Sequence, residues 1–443
     1  MIDRKDIIKQ SEKRLLTVSD RDIFVQTQKA LLIGTITGKQ TRADREDSLK
    51  EIKSLVSTAG SDPFIHQLRR VDSIDPKTFI GKGSCIELVD LSKANDIDVV
   101  IFDCELSPGQ QRNLRNLFEC DVVDRTGLIL DIFALHANSK EASIQVELAM
   151  SIYLKPRLAG LGRSLNQQGG GIGTRGPGEA KLESDIRLID KRINKLKKAI
   201  KKIEKQRKLQ SNSRKKNKTP TISIVGYTNA GKSTLLESLT GTKTYSADEL
   251  FATVDSLHRE LIIDEGNEKV VISDTVGFIQ NLPTTLIESF KSTLDVSKDA
   301  DLLLHVVDAA AAHPDKHMRT VHEILEQINA NSKEIIVFNK IDKVDKFTLN
   351  SIKQKYPQAF FISATKNTGI EELKKRISNY IFGDLIKVKL LIDPVNIDTL
   401  AKSGEIISIL NKDSKLEVEI KLRDSLIPIL DSSNILLKEV IYL

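Results

Sequence analysis

The sequence predicts an α/β protein with a doubly wound domain, an N-terminal α/β domain, a helical hairpin and a small C-terminal α/β unit. Short apolar strands alternate with amphipathic helices over residues 219–383, which is typical of a parallel sheet covered by helices. A second strand-and-helix alternation surrounds residue 100, and a heptad seam runs through residues 182–203. The expected domains are residues 1–137, 138–218, 219–383 and 384–443.

The composition excludes several classes of protein. Of 443 residues, 40% are hydrophobic and 29% charged, values that argue against a disordered or fibrous chain. No run approaches the roughly 18 apolar residues that span a bilayer, and the first residues lack an apolar signal core. The three cysteines show no paired spacing. A protein of the reducing cytoplasm is expected, with neither secretion nor membrane insertion.

In the N-terminal domain, the clearest predicted elements lie near residue 100. Val99–Phe102 has the apolar character of a buried strand. Ser107 and Pro108 then predict the start of a helix, with the serine as its N-cap and the proline at its first position. A second short strand is expected at Val122–Val123, directly before Asp124-Arg125-Thr126-Gly127.

Two long helices are expected to form an antiparallel hairpin within residues 138–218. The seam advances in steps of four and three through Leu182, Ile186, Ile189, Ile193, Leu196, Ile200 and Ile203. An earlier helix at about 139–153 offers a matching stripe of Ala142, Val146, Ala149 and Tyr153, and Pro156 is expected to restrict its continuation. Residues 211–218 have no apolar anchor and are expected to form a flexible linker.

The hairpin carries an unusual concentration of positive charge. Lys191–Lys218 holds 14 of the 67 basic residues but one of the 61 acidic residues, so the remainder of the chain is mildly acidic. Such asymmetry points to nucleic acid or another anionic surface, although a solvated basic helix is the alternative. The candidate RNA contacts on this helix are Lys197, Lys198, Lys201 and Lys202.

A glycine-rich loop, Gly169–Glu179, separates the two hairpin helices. It matches G-x-G-x-x-G, but no strand precedes it, so a dinucleotide site is not expected. A loop without side-chain bulk can approach another backbone closely, and an arginine within it can reach phosphates. The candidate contacts in this loop are Gly170, Gly171, Gly173 and Arg175.

The central domain is expected to contain five short buried strands. These are Thr221–Val225, Val270–Ser273, Leu302–Val307, Ile335–Phe338 and Phe360–Ile362, with amphipathic helices at Leu286–Val296, Val321–Ile328 and Ile370–Ile381. The alternating apolar residues of Leu416–Leu422 predict a strand in the small C-terminal unit.

A phosphate-binding P-loop follows the first of these strands. Its residues are Gly226, Tyr227, Thr228, Asn229, Ala230, Gly231, Lys232 and Ser233, and Thr234 continues into the helix. The glycines let backbone N–H groups surround phosphates at a helix N-terminus. Lys232 is expected to reach the β- and γ-phosphates, and Ser233 to ligate Mg²⁺.

The base is predicted to be guanine. Asn339, Lys340 and Asp342 follow the apolar strand Ile335–Phe338. The Asp342 carboxylate can accept two hydrogen bonds from guanine N1 and N2, where adenine offers no matching donors. Lys340 can cover the base with its stem. Ser363, Ala364 and Thr365 end the next strand, and the Ala364 N–H could meet guanine O6.

Two further segments complete a P-loop GTPase domain in the expected order. Asp274, Thr275, Val276 and Gly277 follow a strand; Asp274 is expected to hold Mg²⁺ through water, and the Gly277 N–H to sense the γ-phosphate. Phe251, Ala252, Thr253, Val254 and Asp255 form the other switch segment, in which Thr253 would contact both Mg²⁺ and the γ-phosphate. The candidate catalytic residues are Lys232, Thr253 and Gly277.

The residue after Gly277 predicts slow hydrolysis. Related GTPase domains often place a water-orienting glutamine there, whereas this chain has Phe278, which cannot polarise water. Intrinsic turnover near 10⁻⁴–10⁻³ s⁻¹, on the order of that of unassisted Ras-like domains, is expected. Activation would depend on a partner that orders the site.

A histidine group at His313, His317 and His322 suggests a metal site. The first two lie one helical turn apart, but no third ligand follows at matching spacing and no cysteine is near. A solvent-facing helix is expected instead.

The chain resembles the HflX family of translational GTPases over nearly its whole length. The resemblance rests on Phe79–Gly83, Glu105–Pro108, Asp124–Phe133, the glycine loop, Leu250–Thr253 and Asp274–Ile279. The hydrophobic residue at 278 is itself typical of that family. Departures are confined to Ala180-Lys181 and Ser184-Asp185-Ile186, beside the glycine loop, where the family more often has Thr-Gln and Thr-Asp-Arg.

The resemblance implies a cytoplasmic, Mg²⁺-dependent GTPase that binds the large ribosomal subunit and its RNA. It would separate stalled or idle ribosomes, or act in ribosome biogenesis, under stress. A monomer is expected, because the seam can be satisfied within one chain. The alternative is a nucleotide-gated RNA-binding assembly or sequestration factor with little turnover. Membrane association is not expected, because the basic helix has no exposed apolar face beyond its seam. An ATP-driven activity is disfavoured, because Asp342 indicates a preference for guanine.

Overall fold

The chain forms two compact units. A computed structural model describes residues 28–38, 40–159, 177–216, 219–242, 250–251, 257–263, 268–280, 283–401, 404–412, 415–427 and 436–442. The first unit comprises the described residues of Met1–Gln210, Ser246–Asp255 and Val276–Leu294. The second comprises those of Ser211–Tyr245, Ser256–Thr275 and Asp295–Leu443.

A four-stranded parallel sheet organises the first unit. Its strands are β1 (Lys29–Thr37), β2 (Asp62–Val71), β3 (Val99–Phe102) and β4 (Asp121–Asp124), in the order β2-β1-β3-β4. Helices connect them: α1 (Arg42–Thr58), α2 (Lys82–Ala94) and α3 (Pro108–Phe118). All four residues of β3 are buried, as apolar strands with helices on both faces require. The strands predicted at 99–102 and 122–123 are confirmed.

Helix α3 begins where the sequence predicts. The Ser107 side chain accepts a hydrogen bond from the Gln110 N–H at 3.2 Å, and the Gln110 side chain accepts one from the Ser107 N–H at 2.9 Å. This capping box, with Pro108 at the first helical position, satisfies donors that the helix itself cannot use.

Helix α4 (Arg125–His136) is the most deeply buried helix of the first unit. Asp124 caps it by accepting a hydrogen bond from the Gly127 N–H at 2.8 Å. Arg125–Phe133 is buried without interruption, as expected of a helix that is apolar on nearly every side.

The hairpin consists of α5 (Lys140–Ala159) and α6 (Pro177–Lys216), and its contact face on α5 differs from the predicted one. The α6 seam residues Ile189, Ile193, Leu196 and Ile200 pack against Ile144, Leu148 and Ile152. The predicted stripe of Ala142, Val146, Ala149 and Tyr153 is therefore wrong as the partner of α6. The hydroxyl of Tyr153 instead donates to Asp124 at 2.7 Å, because this side of α5 faces α4.

Both helices of the hairpin extend beyond their predicted ends. Helix α5 continues through Pro156 to Ala159. Arg157 stabilises this last turn, since its guanidinium donates to Asp124 at 2.9 Å and stacks on the Tyr153 ring at 3.5 Å. Helix α6 runs to Lys216, so the linker predicted over 211–218 is wrong for 211–216. Neither glycine nor proline interrupts that stretch.

A six-stranded sheet organises the second unit, and the five predicted strands are confirmed. The strands are β5 (Thr221–Gly226), β6 (Leu257–Ile263), β7 (Glu268–Asp274), β8 (Leu302–Asp308), β9 (Lys333–Asn339) and β10 (Phe360–Phe361). Their order is β10-β9-β8-β5-β7-β6, with β6 antiparallel to β7 and the other pairs parallel. The sequence did not predict β6.

Helices follow the strands of this sheet. They are α7 (Lys232–Thr240), α8 (Thr284–Ser289), α9 (Lys291–Lys298), α10 (Pro314–Gln327), α11 (Lys346–Lys355) and α12 (Ile370–Phe382). The single helix predicted at 286–296 is divided at Phe290, which lies between α8 and α9. Because parallel strands end at the same edge, the loops after β5, β7, β9 and β10 meet there.

The C-terminal residues form an antiparallel sheet. Its strands are β11 (Leu385–Ile392), β12 (Gly404–Lys412), β13 (Lys415–Arg423) and β14 (Leu436–Tyr442), with the short helix α13 (Ile397–Ala401). The order is β12-β13-β11-β14, and the strand predicted at 416–422 is confirmed within β13. Among the described helices, none is long and apolar enough to cross a membrane.

Candidate nucleotide site

The P-loop connects β5 to α7 in a conformation that requires glycine at two positions. Gly226 has φ +157°, and a Cβ there would lie 2.3 Å from the Val306 carbonyl oxygen. Gly231 has φ +88°, and a Cβ there would lie 2.3 Å from Asn339 Nδ2. Side chains are excluded at both positions, so the backbone of the loop approaches its neighbours closely.

Lys232 is buried at the end of this loop. Its Nζ donates to the Tyr227 carbonyl at 2.9 Å, which folds the side chain back over the loop. Burial lowers the pKa of Lys232 from 10.5 to about 8, although the nearby Asp274 carboxylate opposes the shift. A cation held in this way gains a strong partner when an anionic phosphate binds.

Two predicted Mg²⁺ ligands already contact each other. The Ser233 hydroxyl donates to Asp274 Oδ2 at 2.6 Å, joining the start of α7 to the end of β7. Asp274 is fully buried, and burial raises its pKa. Its second oxygen, Oδ1, has no hydrogen-bond partner among the described residues. A buried carboxylate oxygen without a partner is costly, so this donor set fits a hard cation such as Mg²⁺.

The predicted guanine-binding residues are held together by Asn339. Its Oδ1 accepts from the Ala364 N–H at 3.0 Å, and its Nδ2 donates to the Ala230 carbonyl at 3.0 Å. One amide therefore fixes the loop after β10 to the P-loop. Ser238 of α7 adds a second link by donating to the Ala364 carbonyl at 2.7 Å.

The Asp342 carboxylate is exposed and is held by a neighbouring hydroxyl. The Ser363 hydroxyl donates to Asp342 Oδ1 at 2.6 Å and lowers the pKa of this carboxyl. The residue is exposed, so the ionised carboxylate can accept hydrogen bonds from a base. Thr365, also exposed, lies with its hydroxyl 3.2 Å from that of Ser363.

Lys340 lies between the predicted base-binding and phosphate-binding residues. It has φ +64°, and its Nζ pairs with Asp308 at 2.8 Å and approaches Asn229 Oδ1 at 3.4 Å. These contacts hold its stem in a fixed position, from which it can cover an aromatic base.

The two switch segments are only partly described. Thr275 is buried and donates to the Ile224 carbonyl at 2.8 Å. Val276 and Gly277 begin the 276–294 segment of the first unit, in which Phe278 is 1% exposed. Ala252, Thr253, Val254 and Asp255 lie outside the described residues.

Helix α4 contacts the first switch segment and residues that follow the second, which sequence reasoning did not predict. The Phe133 ring makes edge-to-face contacts at 4.7 Å with Phe251, two residues before Thr253, and with Phe290 at the end of α8. At the other end of α4, Arg125 Nη2 donates to the Gln280 carbonyl at 3.0 Å. These residues lie within the motif Asp124–Phe133, but no pattern in the sequence indicates what the motif contacts.

The predicted RNA-binding lysines are exposed on the hairpin. Lys197, Lys198, Lys201 and Lys202 are all exposed on α6, and the first three line a groove beside the seam residue Ile200. Gly170, Gly171, Gly173 and Arg175 lie outside the described residues.

The three predicted histidines separate in the structure. His313 is exposed, whereas the His317 ring stacks on Tyr227 of the P-loop, with ring centroids 3.9 Å apart. His322 hydrogen-bonds to Glu334. The prediction of a wholly solvent-facing face is therefore wrong, because two of the rings find partners on neighbouring elements.

Three family models match consecutive parts of the chain. A model described as the GTP-binding GTPase N-terminal region matches residues 46–134, and one described as the GTP-binding GTPase middle region matches residues 136–214. A model described as a 50S ribosome-binding GTPase matches residues 221–340.

Curated relatives match most of the chain. The GTPase HflX of Escherichia coli K12 is 42% identical over 354 residues, which cover 79% of this chain and 83% of that protein. The GTPase HflX of Caldanaerobacter subterraneus is 42% identical over 365 residues, covering 82% and 83%. The GTPase HflX of Alkalihalophilus pseudofirmus is 42% identical over 379 residues, covering 85% and 87%.

Solved structures include a GTP-binding protein from the archaeon Sulfolobus solfataricus in complex with GDP. It is 26% identical, with a TM-score of 0.42, and the match covers 80% of this chain and 99% of that one.

Proposed function

Because the chain belongs to the HflX family of GTPases, we propose that its GTP cycle controls association with the large ribosomal subunit. The match of residues 221–340 to a 50S ribosome-binding GTPase model is the observation that carries this proposal. In the cell the protein would separate stalled or idle ribosomes, or act in ribosome biogenesis, under stress.

Binding of GTP rests on the residues around the P-loop. Lys232 releases the Tyr227 carbonyl and turns to the β- and γ-phosphates, where its charge is paired. Ser233, and Asp274 through water, would hold Mg²⁺, which would supply positive charge next to the phosphates. Asp342 accepts from guanine N1 and N2, and the Ala364 N–H meets guanine O6.

The two switch segments would distinguish GTP from GDP by contacting the γ-phosphate. Thr253 would contact it together with Mg²⁺, and the Gly277 N–H would donate to it, so both contacts would be lost after hydrolysis. Such a ligand can change affinity for a partner only if it binds two conformations differently. Helix α4 contacts the first segment at Phe251 and the chain after the second at Gln280 and Phe290, so it is placed to respond to a change in either.

We expect GTP hydrolysis to be slow until a partner orders the catalytic site. Phe278 is buried and has no group that can orient water. The proposed partner is the subunit itself, which would accelerate hydrolysis and then release the GDP-bound form.

The hairpin supplies contacts to ribosomal RNA. Its exposed lysines present positive charge suited to phosphates, and the glycine loop would enter a cavity of the subunit. Replacing Lys197, Lys198, Lys201 and Lys202 with glutamine is expected to weaken subunit binding at least tenfold at moderate salt, because counterion release is lost. Co-sedimentation with isolated subunits measures this effect.

A matched control replaces four exposed lysines elsewhere: Lys346, Lys353, Lys355 and Lys375. The net charge change is identical, but binding should remain close to that of the unmodified protein. Equal losses in the two variants would show that overall charge, and not the hairpin, determines affinity.

Phe278 also supports a second candidate function, an RNA-binding assembly or sequestration factor with little turnover. In that case the nucleotide would serve mainly as a structural ligand. Subunit binding by a Lys232→Ala variant distinguishes the two functions. Binding is abolished if the GTP cycle controls it, and it is largely retained if the protein is a constitutive RNA binder.

A further inference from the structure

Three side chains of the second unit converge on one point outside the nucleotide site. They come from three elements: His305 from β8, His322 from α10 and Glu334 from β9. One potential ligand atom of each lies within 4.8 Å of the other two. We propose that these residues form a site for one Zn²⁺ ion.

The hydrogen bonds show how the three side chains aim at a common point. Glu334 accepts a hydrogen bond from His305 Nδ1, and both of its oxygens lie close to His322 Nε2, at 3.0 and 3.1 Å. Ligand atoms around a tetrahedral Zn²⁺ ion are separated by roughly 3.3 Å, given metal–ligand distances of about 2.0–2.1 Å. A small outward movement of the Glu334 carboxylate would make room for an ion between the three side chains.

The type of ligand selects the metal. Two imidazoles and one carboxylate suit Zn²⁺, whereas Mg²⁺ and Ca²⁺ prefer oxygen ligands alone. Zinc sites with three protein ligands complete their coordination with water. This cluster leaves room for that water, because His305 is 1% exposed whereas the side chains of Glu334 and His322 are 24% and 40% exposed.

The ionisation of His305 and Glu334 suits metal binding. Burial lowers the pKa of His305, which favours the neutral imidazole that a metal requires. Although burial opposes it, hydrogen bonds from the two histidines lower the pKa of Glu334 to about 2, so the carboxylate is ionised at neutral pH. The Glu334 hydrogen bond raises the pKa of His322, and the same contact directs its imidazole towards the carboxylate.

The site is separate from the predicted nucleotide ligands. The cluster contains none of the predicted nucleotide and Mg²⁺ ligands, which include Lys232, Ser233, Asp274, Asn339 and Asp342. It joins β8, β9 and α10, so a bound ion would crosslink the sheet to a helix whose residue His317 stacks on the P-loop. An ion that binds only the folded state stabilises it by mass action.

The test uses the full-length protein, freed of metals with a chelator and of nucleotide. Zn²⁺ is titrated by calorimetry in excess Mg²⁺, which occupies sites made of oxygen ligands alone. One Zn²⁺ ion per chain is expected, together with a higher melting temperature. His322→Ala and Glu334→Gln each remove one ligand while leaving the buried His305 in place, and each is expected to weaken Zn²⁺ binding at least tenfold.

His313→Ala is the matched control, since it removes an exposed histidine at the start of the same helix. It should bind Zn²⁺ like the unmodified protein. GDP binding checks that every variant retains a folded nucleotide site. The proposal is overturned if the unmodified protein binds no Zn²⁺, or if His322→Ala and Glu334→Gln bind it as tightly as the control while still binding GDP.

Discussion

At the scale of single residues, Asp342 is the residue that we propose selects the base. The sequence motif predicted its role, and the structure adds that Ser363 keeps its carboxylate ionised and oriented. Asp342→Asn should weaken GDP binding on the order of 100-fold, because an amide donor then faces the guanine N–H groups. Xanthosine diphosphate, whose oxygen at position 2 accepts a hydrogen bond, should bind the variant better than GDP does.

The control for this substitution is ADP, which lacks the donors that Asp342 recognises. Its weak binding should be unchanged in Asp342→Asn. Unchanged GDP affinity, measured by fluorescence titration, would contradict the assignment of Asp342 to the base.

The lowered pKa of Lys232 predicts that nucleotide binding takes up protons. Its pKa is about 8 without nucleotide, and phosphate binding stabilises the charged form, so the pKa rises in the complex. GDP binding at pH 8.5 should therefore take up protons, and affinity should fall as the pH rises above 8. Calorimetry in buffers of different ionisation enthalpy measures the uptake.

Lys232→Arg provides the control for proton uptake, because a guanidinium remains charged throughout this range. The lysine-dependent uptake should disappear in that variant even where some GDP binding is retained. Equal uptake by both proteins would assign the protons to another group.

At the scale of elements, strands were easier to predict than helix contacts. The apolar runs of β3, β5 and β8 are long enough and bounded clearly enough to be identified from sequence. The face of α5 that meets α6 was predicted wrongly, because its apolar residues cover more than one side and periodicity cannot choose between two buried faces. Neighbouring elements made that choice, through Tyr153 and Asp124.

The contacts of helix α4, a candidate functional element, could not be predicted from the sequence either. Its burial follows from its apolar composition, but the contacts of Phe133 with Phe251 and Phe290 join residues more than 100 positions apart. Such contacts have no signature in a single sequence. Propensity and spacing describe the helix itself and not its distant partners.

Phe133→Leu tests whether α4 restrains the switch segments. Leucine keeps most of the buried volume but loses two edge-to-face contacts, each worth about 0.5–1.5 kcal/mol. Amide hydrogens of α8 should exchange faster with solvent, whereas those of α11 in the second unit should not change. Hydrogen exchange followed by mass spectrometry measures both helices.

Phe118→Leu is the matched control, since Phe118 is equally buried but packs in the core of the N-terminal sheet. Its effect on α8 should be small. Equal exchange rates of α8 in the two variants would mean that Phe133 contributes only general packing.

At the scale of the whole molecule, the compact units do not follow chain order. The sequence motifs describe one continuous nucleotide-binding domain over 219–383, whereas the structure assigns Val276–Leu294 to the first unit. The division falls between Thr275 and Val276, inside the segment predicted to sense the γ-phosphate. Motifs identify the chemistry of a segment, but its packing depends on residues far away in the chain.

The central claim is that GTP, and not GDP, permits association with the large ribosomal subunit. The most direct test sediments the full-length protein with isolated ribosomal subunits, after loading with a non-hydrolysable GTP analogue or with GDP. The expected result is analogue-dependent pelleting with the large subunit alone, and none for Lys232→Ala. Equal pelleting in both nucleotide states, or no pelleting in either, would contradict the claim.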